Sequence, residues 1–288
     1  MYDVIIIGAG PAGITASLYI KRANLNTLVI YKDKSNLEKA EKIENYYGFE
    51  NGITGIKLYE KGIQQAKNIG VDVKKEEVIK ISGDNKNFTI FTDKEKYTAK
   101  SLILATGNKK NQPKIKGLEE FEGKGISYCA ICDGFFFRNK DVTVLGSGNY
   151  AISETNELIN IAKHITILTN GAKAPEFRAE NVNIATKPIK EICGEDRVEK
   201  IEFEDGSQMK TDGIFVAQGV AGSVDFAKKL GIITNKNNIV VNENMETNIK
   251  GIYACGDATG GILQISKAVY EGCIAGLQAI KYIKMNNL

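Results

Sequence analysis

Val4-Ile5-Ile6-Ile7-Gly8-Ala9-Gly10-Pro11-Ala12-Gly13 reads as a β-branched strand running into a glycine loop. Ile14–Ala23 then keeps the apolar spacing of a helix, and Thr27–Tyr31 is a second apolar run, so the segment closes a βαβ unit. The loop fits G-x-G-x-x-G where the pattern has physical meaning, directly after a strand and opening a helix. Gly8 permits the tight turn, Gly10 lets the backbone approach a pyrophosphate, and Gly13 lets helix and strand pack closely. The helix N-terminus, with Pro11 and Ala12 at its start, supplies amide donors and a partial positive charge. These features point to dinucleotide binding. The acidic residue expected about 20 positions on is met approximately by Asp33, beyond the second strand. It is placed to take ribose hydroxyls or to stand as a solvated loop carboxylate.

The pattern returns 138 residues later. Asp141–Leu145 leads into Gly146-Ser147-Gly148-Asn149-Tyr150-Ala151, a helical stretch to Ala162, and the strand Ile165–Leu168. Two strand–glycine–helix–strand units predict an α/β protein with two Rossmann-like, three-layer nucleotide-binding domains. Between them, Phe88–Phe91 and Leu102–Ala105 suit a β-meander returning to the first sheet, and Asn111-Gln112-Pro113 reads as a linker. Ile201–Glu204, Gly213–Ala217 and Ile252–Asp257 read as strands, the last ending in a Gly-Asp turn, and Ile265–Ile283 as a long amphipathic helix.

Composition narrows the class. A length of 288 residues suits about two domains. A net charge of +3, almost all of its positive part from dispersed lysines, gives no ground for a nucleic-acid partner. The N-terminus does not read as a signal peptide, and no apolar run reaches the length of a membrane span. Five cysteines, an odd number, fit a reducing cytoplasm better than a disulfide framework. Cys193 reads as an incidental loop thiol, Cys255 and Cys273 as packing residues.

Cys129-Ala130-Ile131-Cys132 carries the sharpest chemistry. The spacing brings two sulfurs within bonding reach, and a helix start there lowers a thiol pKa. A zinc site would need two further ligands, and one histidine with three dispersed cysteines does not supply them, so the reading is a redox dithiol with no metal. Asp133, next in sequence, suits either proton transfer in disulfide exchange or a helix-start cap. Phe135, Phe136 and Phe137 suit partner docking or core packing.

These segments together resemble the low-molecular-weight thioredoxin reductases: Cys129-Ala130-Ile131-Cys132-Asp133-Gly134-Phe135-Phe136, Ile43-Glu44-Asn45-Tyr46 with Gly52-Ile53-Thr54-Gly55, Ala105-Thr106-Gly107, and Gly256-Asp257 with Gln264. The likeness spans essentially the whole chain, in the family's order. It implies FAD on the first glycine loop, with Asn45 near the isoalloxazine and Ala105, Thr106 and Gly107 along the cofactor. Gly256 and Asp257 would lie on the ribityl or pyrophosphate, and Gln264 and Ile265 at the flavin ring. It implies Cys132 as the cysteine that exchanges electrons with the flavin, Cys129 as the one that attacks thioredoxin, Asp133 as the acid/base, and a homodimer. The discontinuous FAD domain is expected over 1–112 and 247–288 and the central redox domain over 113–246, with hinges near Asn111–Lys116 and Asn244–Asn248.

The second unit departs from the family. Tyr150 is bulky where a small hydroxyl residue is usual. The His-Arg-Arg cluster that grips the NADPH 2′-phosphate is replaced by Leu168-Thr169-Asn170-Gly171-Ala172-Lys173. Losing bidentate arginines removes charge-assisted bonds worth about 1.5–3 kcal/mol each. The departure resembles the ferredoxin-dependent flavin thioredoxin reductases. It implies reduced ferredoxin as electron donor, downhill to thioredoxin by about 6 kcal/mol for two electrons. The alternatives are an NADPH-dependent reductase with a relaxed phosphate site and a flavin-binding redox sensor without turnover.

Overall fold

The computed structural model describes residues 1–32, 35–84, 87–107, 113–219, 222–235 and 238–286. The chain divides into two compact units, Met1–Lys109 with Gly222–Leu288, and Lys110–Ala221.

The first unit opens with β1 (Tyr2–Ile7), α1 (Pro11–Arg22), β2 (Thr27–Tyr31), α2 (Gly55–Asn68) and β3 (Asp72–Lys75). β1 pairs in parallel with β2, Val4 opposite Thr27, and β2 with β3. α1 starts three residues before the apolar spacing marks it. Pro11 sits at its first turn, where a missing N–H costs nothing and the fixed φ already suits a helix. The meander follows as β4 (Val78–Asp84), β5 (Asn87–Thr92) and β6 (Lys96–Leu104). β6 runs antiparallel to β5 and parallel to β1, with Ile7 opposite Leu104.

The second unit contains β7 (Ile126–Ser127), α3 (Ala130–Asp133), β8 (Asp141–Leu145), α4 (Asn149–Leu158), β9 (His164–Leu168) and β10 (Val182–Ala185). An antiparallel trio follows, β11 (Ile189–Cys193), β12 (Lys200–Phe203) and β13 (Gln208–Lys210), and then β14 (Gly213–Val216). The parallel sheet has the order β10-β9-β8-β14-β7. α4 ends at Leu158 and does not reach Ala162; the Asn181 side chain donates to the carbonyls of Ile159 (3.0 Å) and Ala162 (3.3 Å) in the turn that follows. Cys193 closes strand β11 and is not in a loop; its carbonyl accepts from Glu199 N.

The chain then returns to the first unit through α5 (Ser223–Lys229), the short hairpin β15 (Thr234–Asn235) and β16 (Asn238–Ile239), β17 (Ile252–Ala254) and α6 (Ile265–Met285). β17 joins β6 in parallel, Ile252 opposite Leu102. The boundary expected after residue 246 therefore moves back to 221. Residues 222–246 belong to the first unit, and the expected hinge Asn244–Asn248 lies inside it. Met245 is buried in that unit's core, adopts φ +59° and accepts at its carbonyl from Ala254 N. Of the expected linker, Asn111 and Gln112 lie outside the described residues.

Val4, Ile6, Ile20, Val29 and Ile103 are fully buried in the first core, where each side chain contributes about 1.5–3 kcal/mol. α1 crosses α6 at a seam of small residues. A Cβ on Gly272 would run into the Ala12 carbonyl, and one on Gly276 would lie 2.9 Å from the Ala16 carbonyl oxygen. Leu145, Leu168, Ile201 and Ile214 anchor a separate core in the second unit. Among the described residues no helix is long and apolar enough to cross a membrane.

Candidate active site

In the first unit the glycine loop forms a cradle of backbone. Gly8 has φ +113°, and a Cβ there would strike the Ala105 carbonyl, so only glycine lets the turn press against the end of β6. Gly10 caps α1 without a side chain, and the first turn holds no acidic residue. The helix start is therefore electropositive and presents its amides uncapped by any side chain, as an anionic group requires.

Gly256 has φ +74°, and its Cα packs so closely on α1 that an added Cβ would come within 2.9 Å of Ala12 Cβ. This contact sets Asp257 beside the glycine loop. Burial raises the Asp257 carboxyl above the ordinary carboxylate range; Lys267 opposes that shift and Glu271 adds to it. Two residues that the sequence did not single out hold the turn. Glu271, buried on α6, accepts from Gly256 N (2.8 Å) and the Thr259 hydroxyl (2.9 Å). Lys267, one turn earlier, pairs with Glu271 at 3.0 Å and donates to the Gly256 carbonyl at 2.8 Å. Their i,i+4 spacing was a visible signal, but what they grip was not.

Asn45 Nδ2 donates to Gln264 Oε1 at 3.2 Å, so two predicted residues far apart in sequence do meet. Ile265 follows at the start of α6. Thr106 reaches across to α5. Its hydroxyl lies 2.8 Å from the Ser223 hydroxyl and accepts from Ser223 N at 2.7 Å, so this side chain secures α5. Gly107 has φ +71° with open space where a Cβ would stand. Asp33 lies outside the described residues.

In the second unit, Cys129 and Cys132 form a disulfide, with Cα atoms 5.3 Å apart. Cys129 caps α3 and its sulfur accepts from Cys132 N at 3.1 Å. Cys129 is 2% exposed, whereas Cys132 is exposed. Asp133 accepts from the Ser127 hydroxyl at 2.6 Å, and Ser127 Oγ in turn accepts from Cys129 N at 3.0 Å. Glu154, buried on α4, accepts from Ala130 N at 2.8 Å. Neither Ser127 nor Glu154 carries a motif that could have marked it.

The phenylalanines divide. Phe137 is buried edge-on to Phe215 with ring centroids 5.2 Å apart, whereas Phe135 and Phe136 are 68% and 70% exposed. Cys255 is buried and its thiol is pushed far up by burial; burial also raises Cys193. Glu191, Cys193 and Glu202 lie close together, but Lys116 and Lys190 already pair with the two carboxylates at 2.6 Å each.

The second glycine loop keeps an α4 start with no side-chain cap and no acidic residue. Its third-position neighbour Tyr150 is buried, and its hydroxyl donates to the Tyr128 carbonyl at 3.3 Å. The end of β9 turns in on itself. The Thr169 hydroxyl donates to the Ala172 carbonyl at 2.6 Å, and Asn170, with φ +50°, accepts from Ile189 N at 2.7 Å. Lys173 is exposed beyond this turn.

Residues 2–272 match the family of pyridine nucleotide-disulphide oxidoreductases. The thioredoxin reductase of Listeria innocua is 36% identical, over 99% of this chain and 94% of its own. The atypical thioredoxin reductase TRi of Desulfovibrio vulgaris Hildenborough superposes with a TM-score of 0.91 at 38% identity, covering 99% of both chains. A ferredoxin-flavin thioredoxin reductase of Clostridium acetobutylicum superposes with a TM-score of 0.71 at 34% identity, covering 99% of this chain and 98% of the other.

Proposed function

The chain belongs to the pyridine nucleotide-disulphide oxidoreductases, among the thioredoxin reductases, and from that premise we propose that it reduces thioredoxin with electrons from reduced ferredoxin. FAD is the family's cofactor, and the first unit fits it: an uncapped, acid-free helix start packs at Ala12 against Gly256, the residue before the partly buried Asp257. FAD, when bound, supplies two electrons to a disulfide. Gly8, Gly10, Pro11, Ala12 and Gly13 would hold its pyrophosphate, Asp257 would accept from its polyol hydroxyls, and Asn45, Gln264 and Ile265 would lie toward the ring.

The rest of the chemistry belongs to this chain's cysteines. Two electrons and two protons open the Cys129–Cys132 bond to two thiols. The Cys129 thiolate attacks the thioredoxin disulfide, Cys132 attacks the resulting mixed disulfide, and thioredoxin leaves as a dithiol while the bond re-forms. Asp133 moves the proton between Cys132 and solvent, with Ser127 fixing one of its oxygens. Two reduced ferredoxins, each giving one electron, balance a cycle. The protein works in this reading as a cytoplasmic homodimer.

The end of β9 carries the choice of donor. A 2′-phosphate needs a fork of cationic donors there. Asn170 is instead committed to Ile189 N, Thr169 to Ala172, and the next cation along the chain, Lys173, is a single exposed ammonium. The uncapped start of α4 favours the second reading, an NADPH-dependent reductase. Thioredoxin reduction measured side by side with reduced ferredoxin, NADPH and NADH separates them. Turnover with ferredoxin alone is expected, and rapid oxidation of micromolar NADPH coupled to thioredoxin reduction would refute it.

A further inference from the structure

Two side chains one turn apart on α4 reach the backbone on either side of Cys129. Tyr150 donates its hydroxyl to the carbonyl of Tyr128, the residue before it, and Glu154 accepts the N–H of Ala130, the residue after it. Both side chains are buried, Glu154 to 1% exposure. We propose that Glu154 and Tyr150 are positioning residues of the redox dithiol: α4, the helix that opens on the second glycine loop, serves as a clamp that fixes Cys129 and tunes how readily its disulfide opens.

The two contacts differ in kind. The Tyr150 contact is neutral and long at 3.3 Å, so it restrains the chain without changing its charge. The Glu154 contact is a buried, charge-assisted hydrogen bond at 2.8 Å to the amide adjoining Cys129. The Cys132 N–H that points at Cys129 Sγ favours a thiolate on that sulfur once the bond is opened. A carboxylate one peptide away disfavours it by repulsion. Glu154 thereby weights the couple toward the disulfide and keeps the reduced form strongly reducing. The clamp rests on the reading of Cys129–Cys132 as the working dithiol but not on the identity of the electron donor.

The test is an equilibrium between the FAD-loaded full-length protein and dithiothreitol, in which two dithiothreitol thiols become a cyclic disulfide as the Cys129–Cys132 bond opens to two thiols. The reduced fraction is counted by alkylation and mass spectrometry. Glu154→Gln keeps the acceptor for Ala130 N–H and removes the charge, so its equilibrium constant for reduction should rise about tenfold, a potential less negative by about 30 mV. A change under twofold, or one in the opposite direction, would overturn the role of Glu154. Tyr150→Phe removes no charge and should leave that constant within twofold while the disulfide opens at least threefold faster. An unchanged opening rate would overturn the clamp even if Glu154→Gln does not fold. Neither measurement involves thioredoxin, ferredoxin or NADPH, so failure here is distinct from failure of the proposed activity.

Discussion

The Ser127 hydroxyl donates to Asp133 across 2.6 Å while accepting the Cys129 amide at 3.0 Å, so one oxygen atom ties the acidic residue of the redox helix to the cysteine that begins it. Ser127→Ala loses this link but no packing of consequence. Thioredoxin turnover should fall about five- to tenfold, the equivalent of one hydrogen bond of about 1–1.5 kcal/mol, and the melting temperature should drop by a few degrees because the buried Cys129 N–H loses its acceptor. Steady-state kinetics beside a thermal melt decide it, and full turnover in the variant would remove Ser127 from the chemistry.

Serine at either redox cysteine separates turnover from cofactor binding. Cys129→Ser and Cys132→Ser should each reduce thioredoxin at no more than background rate while the purified protein stays yellow with FAD. The flavin absorbance and a coupled thioredoxin assay give both answers from one preparation. Turnover in Cys129→Ser would contradict its assignment as the attacking thiol.

Asp257 predicts a pH dependence. Burial raises its folded-state pKa above the ordinary 3.8. A carboxyl shifted in that direction contributes stability below its unfolded pKa and loses it as pH rises through the folded value. FAD-free Asp257→Asn should therefore melt higher than FAD-free wild type at about pH 7, with the gap closing toward pH 4. With FAD bound the order should reverse at about pH 7, because an acceptor for the cofactor is lost. Melts of both forms across this range check the sign, and superimposed FAD-free curves would show that the carboxyl is not strained by burial.

The α1–α6 seam predicts a steric effect. Gly272→Ala places a methyl where the Ala12 carbonyl stands, so the helices must separate. A loss of about 1–3 kcal/mol in denaturant unfolding is expected, together with weaker FAD retention, since Ala12 lies in the glycine loop. An unchanged midpoint would mean that the helices slide apart without cost.

The parts of this protein that were legible in its sequence are those in which neighbours in the chain are neighbours in space. The β-branched runs Val4–Ile7 and Asp141–Leu145 form strands, the glycine loops turn where their spacing says, and Cys129 bonds Cys132. The misread parts depend on distant contacts. Asn244–Asn248, which the resemblance implied as a hinge at the edge of the central domain, lies inside the first unit, where Met245 is core and bonds to β17. Glu154 meets the Ala130 amide 24 residues back, and Lys267 and Glu271 grip the Gly256 turn, through contacts only the fold supplies, whereas Ser127 is a sequence neighbour of Cys129 and Asp133 but belongs to no motif.

β6 has β1 along one edge and, along the other, first β5 and then β17. Its second edge is thus completed by a strand made about 150 residues later, and α6 follows that strand. On the ribosome the uninterrupted Lys110–Ala221 unit emerges whole and can close while the cofactor unit still lacks its last strand and longest helix. A nascent chain stalled before β17 would therefore hold every residue of the redox unit together with a flavin unit that still lacks β17 and α6.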